Sequence, residues 1–393
     1  MKDNKKTGRR NFFRLAAAGG LGATIMSPLL VSQSQAQEKP EDEKPATNID
    51  EIKKKYPRNK NSMPGKYPGR VVRANHANCI IDNEPVEPAA YDMIKEGMLT
   101  LTRAASLSEA WLQLVSPDET IGLKLNPVAG KPLSTSHAVT KSIIRQLEEA
   151  GVPKENIVIW DRREMQLHEV GYTSENYPGI KIRGTEQQDE DGGFYGKDGV
   201  LYGEKMIDKD WFYWADCEEE YDAYTLPYMV NSGKESYFSK ICTREVDKII
   251  NVPILKNAGS SVTLCLKNLA YGAVTNTARL HKKLWAETTA EVCAFPPLRD
   301  KVVLNIVDGI KGCFDGGPGA NPQFFCDYST ILIGTDPVAV DRVGYEIVLK
   351  KRIAEGVQEE ESPKGKIFLN LAQDLELGVA DMDKIKLEKI DLV

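Results

Sequence analysis

The chain has 393 residues, of which 41% are hydrophobic and 27% charged, so it has ample apolar material for a large core and is too apolar for a disordered polymer. Its net charge is −6, and residues 1–36 alone hold six Lys/Arg against one Asp, which leaves about −11 on the remainder. A chain of that sign repels nucleic acid and anionic lipid, so nucleic acid is not expected as a partner.

The first segment is set apart from the rest. Arg9-Arg10 and Asn11-Phe12-Phe13-Arg14 precede a mildly apolar Gly/Ala-rich stretch from Leu15 to Val31 and a small-residue end at Ser34-Gln35-Ala36. This resembles a twin-arginine (Tat) export signal over residues 1–36, which predicts a periplasmic or secreted protein. Gly19, Gly20, Gly22 and Pro28 make the same stretch a poor membrane helix, and no later segment is long and apolar enough to span a bilayer. Tat carries proteins already folded, often with a cofactor loaded. Residues 37–68 are rich in Lys, Glu, Asp, Pro and Asn and read as a disordered, solvated linker. Residues 69–393 form the predicted single domain.

Within it, "PAAYDMIKEGMLTLTRA" places Ile94, Met98 and Leu101 at helical spacing. Thr120 to Leu125 reads as a buried strand. A Gly/Pro loop follows, then a helix capped at Ser134, Thr135 or Ser136, carrying Val139, Ile143, Ile144, Leu147 and Ala150 on one face and ending at Gly151. Asn156 to Trp160 is the next strand. A strand, helix and strand at this spacing make a βαβ unit, and the expected fold class is α/β: a mostly parallel, doubly wound sheet. Residues 162–240 are irregular and contain Trp211, Phe212, Tyr213, Trp214, Tyr221, Tyr224 and Tyr228; they read as an aromatic-rich insertion whose rings pack its own core rather than line a cleft. The sheet resumes with "VDKIINVPIL", Lys301 to Val307 and Ser329 to Gly334. A helix from Pro337 to Lys351, one from Lys366 to Leu375 and an edge strand "KIKLEKI" complete the chain.

The predicted strands share one feature: each ends in a polar or charged residue. Asn126 follows the first, which contains Lys124; Asp161, Lys256-Asn257, Asp308 and Asp336 follow others. The run from Val262 to Leu266 is predicted to re-enter the core and return at Lys267-Asn268. Open parallel sheets bind ligands beyond the carboxyl ends of their strands, so these residues are expected around one crevice. Lys124, Lys256 and Lys267 there would attract a small carboxylate or phosphate, with the helix N-terminus near Ser136 adding donors. Lys256, Lys267, Asp161, Asp308 and His281 are the candidate catalytic residues, and Lys124, Asn126, His137, Asn257 and Asn268 the candidate substrate contacts. Asp308, Asp336, Asp161 and Asp341 are oxygen ligands suited to a divalent metal, the candidate cofactor. Against these stand plainer readings: Asp336 before Pro337 as a helix cap, Asp308-Gly309 as a turn, Asp161 as a surface partner of Arg162 or Arg163, and each histidine as structural. The seven cysteines contain no CxxC pair, so no iron–sulfur cluster is expected. There is no HxxxH pair, GxSxG elbow or standard nucleotide-binding loop.

Four ordered stretches, "ETIGLKLNPVAG…STSHAVTKSIIRQLEEAGVPKENIVIWDR", "DKIINVPILKNAGSSVTLCLKNLAYG", "LNIVDGIKGCFDGGPG" and "GTDPVAVDRVG", resemble the family catalogued as domain of unknown function 362 over residues 68 to 355. "YDMIKEGMLTLTRAASLSEAW" is similar to its Tat-exported branch. The resemblance implies no settled activity. Some members of that family carry ferredoxin-like cysteines that this chain lacks, and the histidine usual shortly after the strand lysine is absent, since Asn257 and Ala258 follow Lys256. A second similarity is to the nickel-pincer lactate racemase family, with Lys267 matching the lysine that holds its cofactor; that family's Gly-Gly before the lysine and its histidine near Asn257 are missing. The lysines, the proton-transfer candidates and the export signal point to a periplasmic enzyme acting on a small anionic or polyhydroxylated substrate, of isomerase, epimerase or redox type, and the second similarity implies racemase or epimerase chemistry. The alternative is a non-catalytic protein that holds a ligand or metal for a redox partner.

Overall fold

The apolar runs become strands of a ten-stranded sheet. The computed structural model describes residues 44–221, 226, 229–230, 233–259, 261–358, 360–362 and 364–393; the export-signal reading, residues 37–43, Tyr224 and Tyr228 lie outside these. In chain order the strands are β1 (Arg70–His76), β2 (Ile121–Lys124), β3 (Ile157–Arg163), β4 (Lys181–Glu186), β5 (Lys248–Asn251), β6 (Ile254–Ala258), β7 (Ser261–Thr263), β8 (Val302–Cys313), β9 (Phe325–Gly334) and β10 (Lys386–Leu392). They lie in the order β10-β1-β9-β8-β5-β2-β3-β4. The pairs from β8 through β5, β2 and β3 to β4 are all parallel, and so is β1 with β10; β9 runs antiparallel to both β1 and β8. The sheet is therefore mostly parallel, as expected, with β10 at an edge.

Residue alternation decides which helix covers which face. Ile157 and Ile159 of β3 join a core with Met93, Ile94, Met98 and Leu101 of α1 (Glu87–Thr102) and Val139, Ile143 and Leu147 of α2 (His137–Glu149). Val158 and Trp160, one residue out of phase, join the opposite core with Leu266 and Leu269 of α3 (Cys265–Ala273) and Val338 and Val343 of α4 (Pro337–Ala354). Every residue of β2 is buried, as a strand covered on both faces requires. Ser136 caps α2 by accepting from Val139 N at 3.3 Å, and Gly151 at φ +95° follows its end. Among the described residues no helix is long and apolar enough to cross a membrane.

Four expectations need correction. "VDKIINVPIL" is two strands: Pro253 lacks an N–H, and the chain steps there from β5 to β6, which pair in tandem along the long β8. The run from Val262 to Leu266 is not a strand throughout. β7 ends at Thr263 and α3 starts at Cys265, because the two oxygens of Asp341 on α4 accept from Cys265 N (2.6 Å) and Leu266 N (3.0 Å), two donors that a helix start leaves unpaired. Residues 162–163 end β3 and 181–186 form β4, with a short helix over Glu164–Glu169 between them, so the irregular segment begins only after Glu186; it holds a hairpin of Ile207–Trp214 with Glu235–Ser239. Residues 44–68 are not a solvated linker: a helix spans Ile49–Lys55, and Met63 is fully buried with its N–H on Arg299 O at 2.7 Å. Buried Ile49, Ile52 and Met63, with Asn48 bonded to Trp214 N and Ser62 to Asp300, dock a segment whose composition is otherwise polar.

Candidate functional site

Lys124 is the last residue of β2, and Asp161 lies in β3 one residue past Trp160, which is Lys124's register partner. Lys256 is in the middle of β6 and Thr263 faces it as its cross-strand partner on β7. Lys267 and Asn268 lie in the first turn of α3, not at the end of a strand as expected. All these groups line one cavity of about 310 Å³, together with Asn126, Val128, Arg162, Gln166, Tyr271, Gly272, His281, Gly317 and Pro318. Three lysines expected at one crevice are thus brought together.

Their partners differ. Lys124 is fully buried, and its Nζ donates to Asp161 Oδ1 (2.5 Å), Leu125 O (2.8 Å) and Asn268 Oδ1 (3.2 Å). That is a full set of three acceptors for an ammonium, one of them a carboxylate. Burial lowers its pKa, and Asp161 opposes the shift. Asp161 is therefore Lys124's counter-ion and not a surface partner of Arg162 or Arg163. Lys256 is also fully buried, yet among the described residues its Nζ reaches only two oxygens, both uncharged, Val128 O (3.0 Å) and Asn126 Oδ1 (3.2 Å). Burial pushes its amine down to about 7. Lys267 has no hydrogen-bond or ion-pair partner among the described residues; its Nζ stands 5.6 Å from the Tyr271 ring centre, and burial lowers its pKa.

A line of buried amides holds this arrangement. Asn268 Oδ1 accepts from Lys124 and from Asn126 Nδ2 (3.1 Å), while Asn268 Nδ2 donates to Asn251 Oδ1 (2.8 Å). Asn251 Nδ2 donates in turn to Asn305 Oδ1 (2.9 Å), and Asn305 Nδ2 to the carbonyls of Gly334 and Thr335. Each amide's orientation is set by the next, so the oxygen of Asn268 faces the lysines. At the rim, His281 is exposed. Its Nδ1 donates to Thr277 O at 3.0 Å, which leaves Nε2 as an acceptor, and its surroundings and the Lys267 charge hold its pKa below the ordinary value. On the wall, Thr263 Oγ1 is buried without a hydrogen-bond partner among the described residues.

Other candidates lie elsewhere. Asn257 does not line the cavity; its Nδ2 donates to Gly259 O (3.0 Å) and Ser261 O (2.9 Å) and ties the β6–β7 turn. Asp308 is neither at a strand end nor in a turn, since β8 runs on to Cys313. It accepts from Ser136 N (2.8 Å) and Ile310 N (3.2 Å) and borders a second cavity of about 740 Å³. His137 borders that cavity too, but both ring nitrogens are engaged, Nδ1 with Tyr177 OH (2.6 Å) and Nε2 with Val170 O (2.9 Å). Asp336 is a cap: its oxygens accept from Ala339 N, Gly69 N and Val379 N, and burial pushes it up to about 6. With Asp308 and Asp336 each spent on backbone donors and Asp341 on α3, these carboxylates do not converge, and among the described residues no three His, Cys, Asp or Glu side chains meet as a metal site. Near Asn257, where the nickel-pincer family's histidine is expected, stands an amide turned into its own hairpin, so the residues present do not fit that cofactor. All seven cysteines are free thiols. Trp211, Phe212, Tyr213, Trp214 and Tyr221 are absent from the cavity wall, and Tyr213 is buried against Phe295.

Several site residues went unread in the sequence. A Cβ on Gly272 would lie 2.2 Å from Lys124 Cε, so only glycine lets α3 pass over that lysine. A Cβ on Gly317 would lie 1.9 Å from Asn257 O, where the Gly/Pro segment after β8 closes over β6. Gly272 inside a helix, unfavourable by about 1 kcal/mol against Ala, was a signal available in the sequence. Arg162 donates to Tyr271 O at 3.2 Å and stands 3.4 Å from the buried Glu186. Glu186 also pairs with Arg163 at 2.7 Å.

No curated protein matches the chain. Among solved structures, a crystal structure of a protein from Thermotoga maritima is similar at 11% identity and a TM-score of 0.37, over 66% of this chain and 59% of that one; the chain thus spans about three fifths of that protein's length. Residues 215–346, the stretch that carries β5 to β9, α3 and the Lys256 and Lys267 sides of the cavity, match the family described as "Domain of unknown function (DUF362)".

Proposed function

We propose that the protein is an enzyme that takes a small anionic molecule, a carboxylate or phosphate of hydroxy-acid size, into the cavity between β2, β3, β6 and α3. The observation that carries this reading is the cavity wall: among the described residues Lys267 stands there without an anionic partner and Arg162 beside it, while the one carboxylate on the wall, Asp161, is already paired with Lys124. Lys267, without an anionic partner, binds the ligand's charged group. Lys124 and Asn126 present fixed positive charge and amide donors where negative charge develops beside it. Neutral His281, with Nε2 unprotonated, moves a proton at the adjacent carbon, which supports an isomerase or epimerase reading over the redox one. We also read residues 1–36 as an export leader, on Arg9-Arg10 and the Ser34-Gln35-Ala36 end; a mature chain beginning beyond Ala36 in protein recovered from the periplasm checks it, and an intact Met1 end there refutes it.

Calorimetric titration with lactate, glycolate, phosphoglycolate and the uncharged lactamide tests the site. The acids are expected to bind and lactamide not to, and Lys267→Met is expected to weaken acid binding at least about tenfold, the worth of one charged hydrogen bond. Equal affinity for lactate and lactamide removes the anion reading. Loss of the C2 proton of a bound hydroxy acid in deuterated water, slowed by His281→Gln, tests the proton transfer.

A further inference from the structure

Lys124 and Lys256 are both sealed from solvent, but their hydrogen bonds imply different protonation. Three acceptors around Lys124 match the three N–H groups of an ammonium. Two uncharged acceptors around Lys256 match the two N–H groups of a free amine, and the lone pair is left unspent. Burial pushes the amine down to about 7; the charges of Lys267 and Lys124 disfavour protonation further, while Cys313 and Asp161 act against that shift. Directly across the β6–β7 ladder stands Thr263, 8% exposed, with a hydroxyl that has no partner. A nucleophilic nitrogen and an unused hydroxyl therefore face one space from opposed strand positions, whose Cβ atoms lie about 5 Å apart.

We propose that Lys256 joins covalently, as a Schiff base, to a small 2-oxo acid in this cavity, with Lys267 holding the carboxylate and Thr263 Oγ1 donating to the keto oxygen. The inference rests on the anion-binding reading above. The Nζ lone pair adds to the keto carbon, and the C=O π pair moves to oxygen, which takes a proton. The resulting carbinolamine then loses that hydroxyl with a second proton as water. One of the two protons is the one nitrogen gives up, so the balance is amine, ketone and one proton giving an iminium and water. The iminium draws electrons from the neighbouring carbon, C3 of pyruvate, and makes the protons there acidic, a position distinct from the C2 proton of a hydroxy acid.

The test uses pyruvate and cyanoborohydride on the full chain at neutral pH, with intact-mass and peptide-mapping readouts and calorimetry of pyruvate in parallel. Reduction of the iminium adds the mass of pyruvate less one oxygen atom, expected on the peptide containing Lys256. Lys256→Arg is expected to lose the adduct, Thr263→Val to slow its formation about tenfold or more, and Lys267→Met to raise the half-saturating pyruvate about tenfold. Mapping in the unmodified protein needs no variant to fold. Pyruvate binding without an adduct on Lys256, or an adduct confined to other lysines, overturns the Schiff base and leaves the anion site standing. Failure of pyruvate and of all the acids above to bind removes both.

Discussion

Replacing Lys256 by methionine removes a buried titrating amine while keeping most of its volume, and the consequence is a change in how stability depends on pH. The amine's ordinary value is 10.5, and in the folded protein it lies near 7. Between these values the unfolded chain binds a proton that the folded chain has released, so folding stability rises with pH, at up to about 1.4 kcal/mol per pH unit. Below pH 7 both states carry the proton, and the folded state bears the full cost of burying it, on the order of 5 kcal/mol. The methionine side chain, which does not titrate, carries no such cost. It does leave Asn126 Oδ1 and Val128 O without their donor, a loss of about 1–3 kcal/mol that does not vary with pH. The stability of Lys256→Met relative to the parent is therefore expected to fall by roughly 2 kcal/mol from pH 7 to pH 9. Urea unfolding followed by circular dichroism at three pH values in that range measures it, and contributions common to both proteins cancel in the difference. A difference that stays constant with pH would show that Lys256 is protonated when folded, and both the two-acceptor argument and the nucleophile drawn from it would be wrong.

Three further substitutions probe the frame of the site. Asp161→Asn leaves the Lys124 ammonium buried without its counter-ion and is expected to cost about 3–5 kcal/mol in urea unfolding; a change under about 1 kcal/mol would mean that Lys124 is not charged there. Gly272→Ala drives a methyl group into Lys124 and is expected to destabilise by about 1–3 kcal/mol and to abolish calorimetric binding of hydroxy acids, whereas unaltered melting and binding would contradict the close passage of α3. Asp336→Ala strips three backbone N–H groups of their acceptor and should cost about 2–4 kcal/mol, with no effect on anion affinity because Asp336 does not line the cavity.

The alternation of apolar residues over "TIGLKL" and "NIVIW", the cap at Ser136 and the Pro337 start were enough to read a βαβ unit and a parallel sheet, because local periodicity and capping depend only on neighbours in the chain. The same logic put Lys124, Asn126, Asp161 and Lys256 near one rim, since every parallel strand presents its carboxyl end on the same side. Two departures came from contacts made at a distance. α3 begins at Cys265 because Asp341, far along the chain on α4, satisfies its first amides, and Lys267 reaches the cavity from that helix. Asp308 looked like a strand end and is instead held by Ser136 N, on the side of the second cavity.

What the sequence determined by itself was the set of elements and the side of the sheet on which lysines and amides would gather. What only the tertiary structure decided was which charge meets which partner: Lys124 with a carboxylate, Lys256 with two neutral oxygens, Lys267 with none among the described residues. The physical reason is that a lysine's protonation and reactivity depend on burial and on the acceptors within hydrogen-bond reach, and those acceptors come from Asn126, Val128, Asp161 and Asn268, brought together only when β2, β3, β6 and α3 pack.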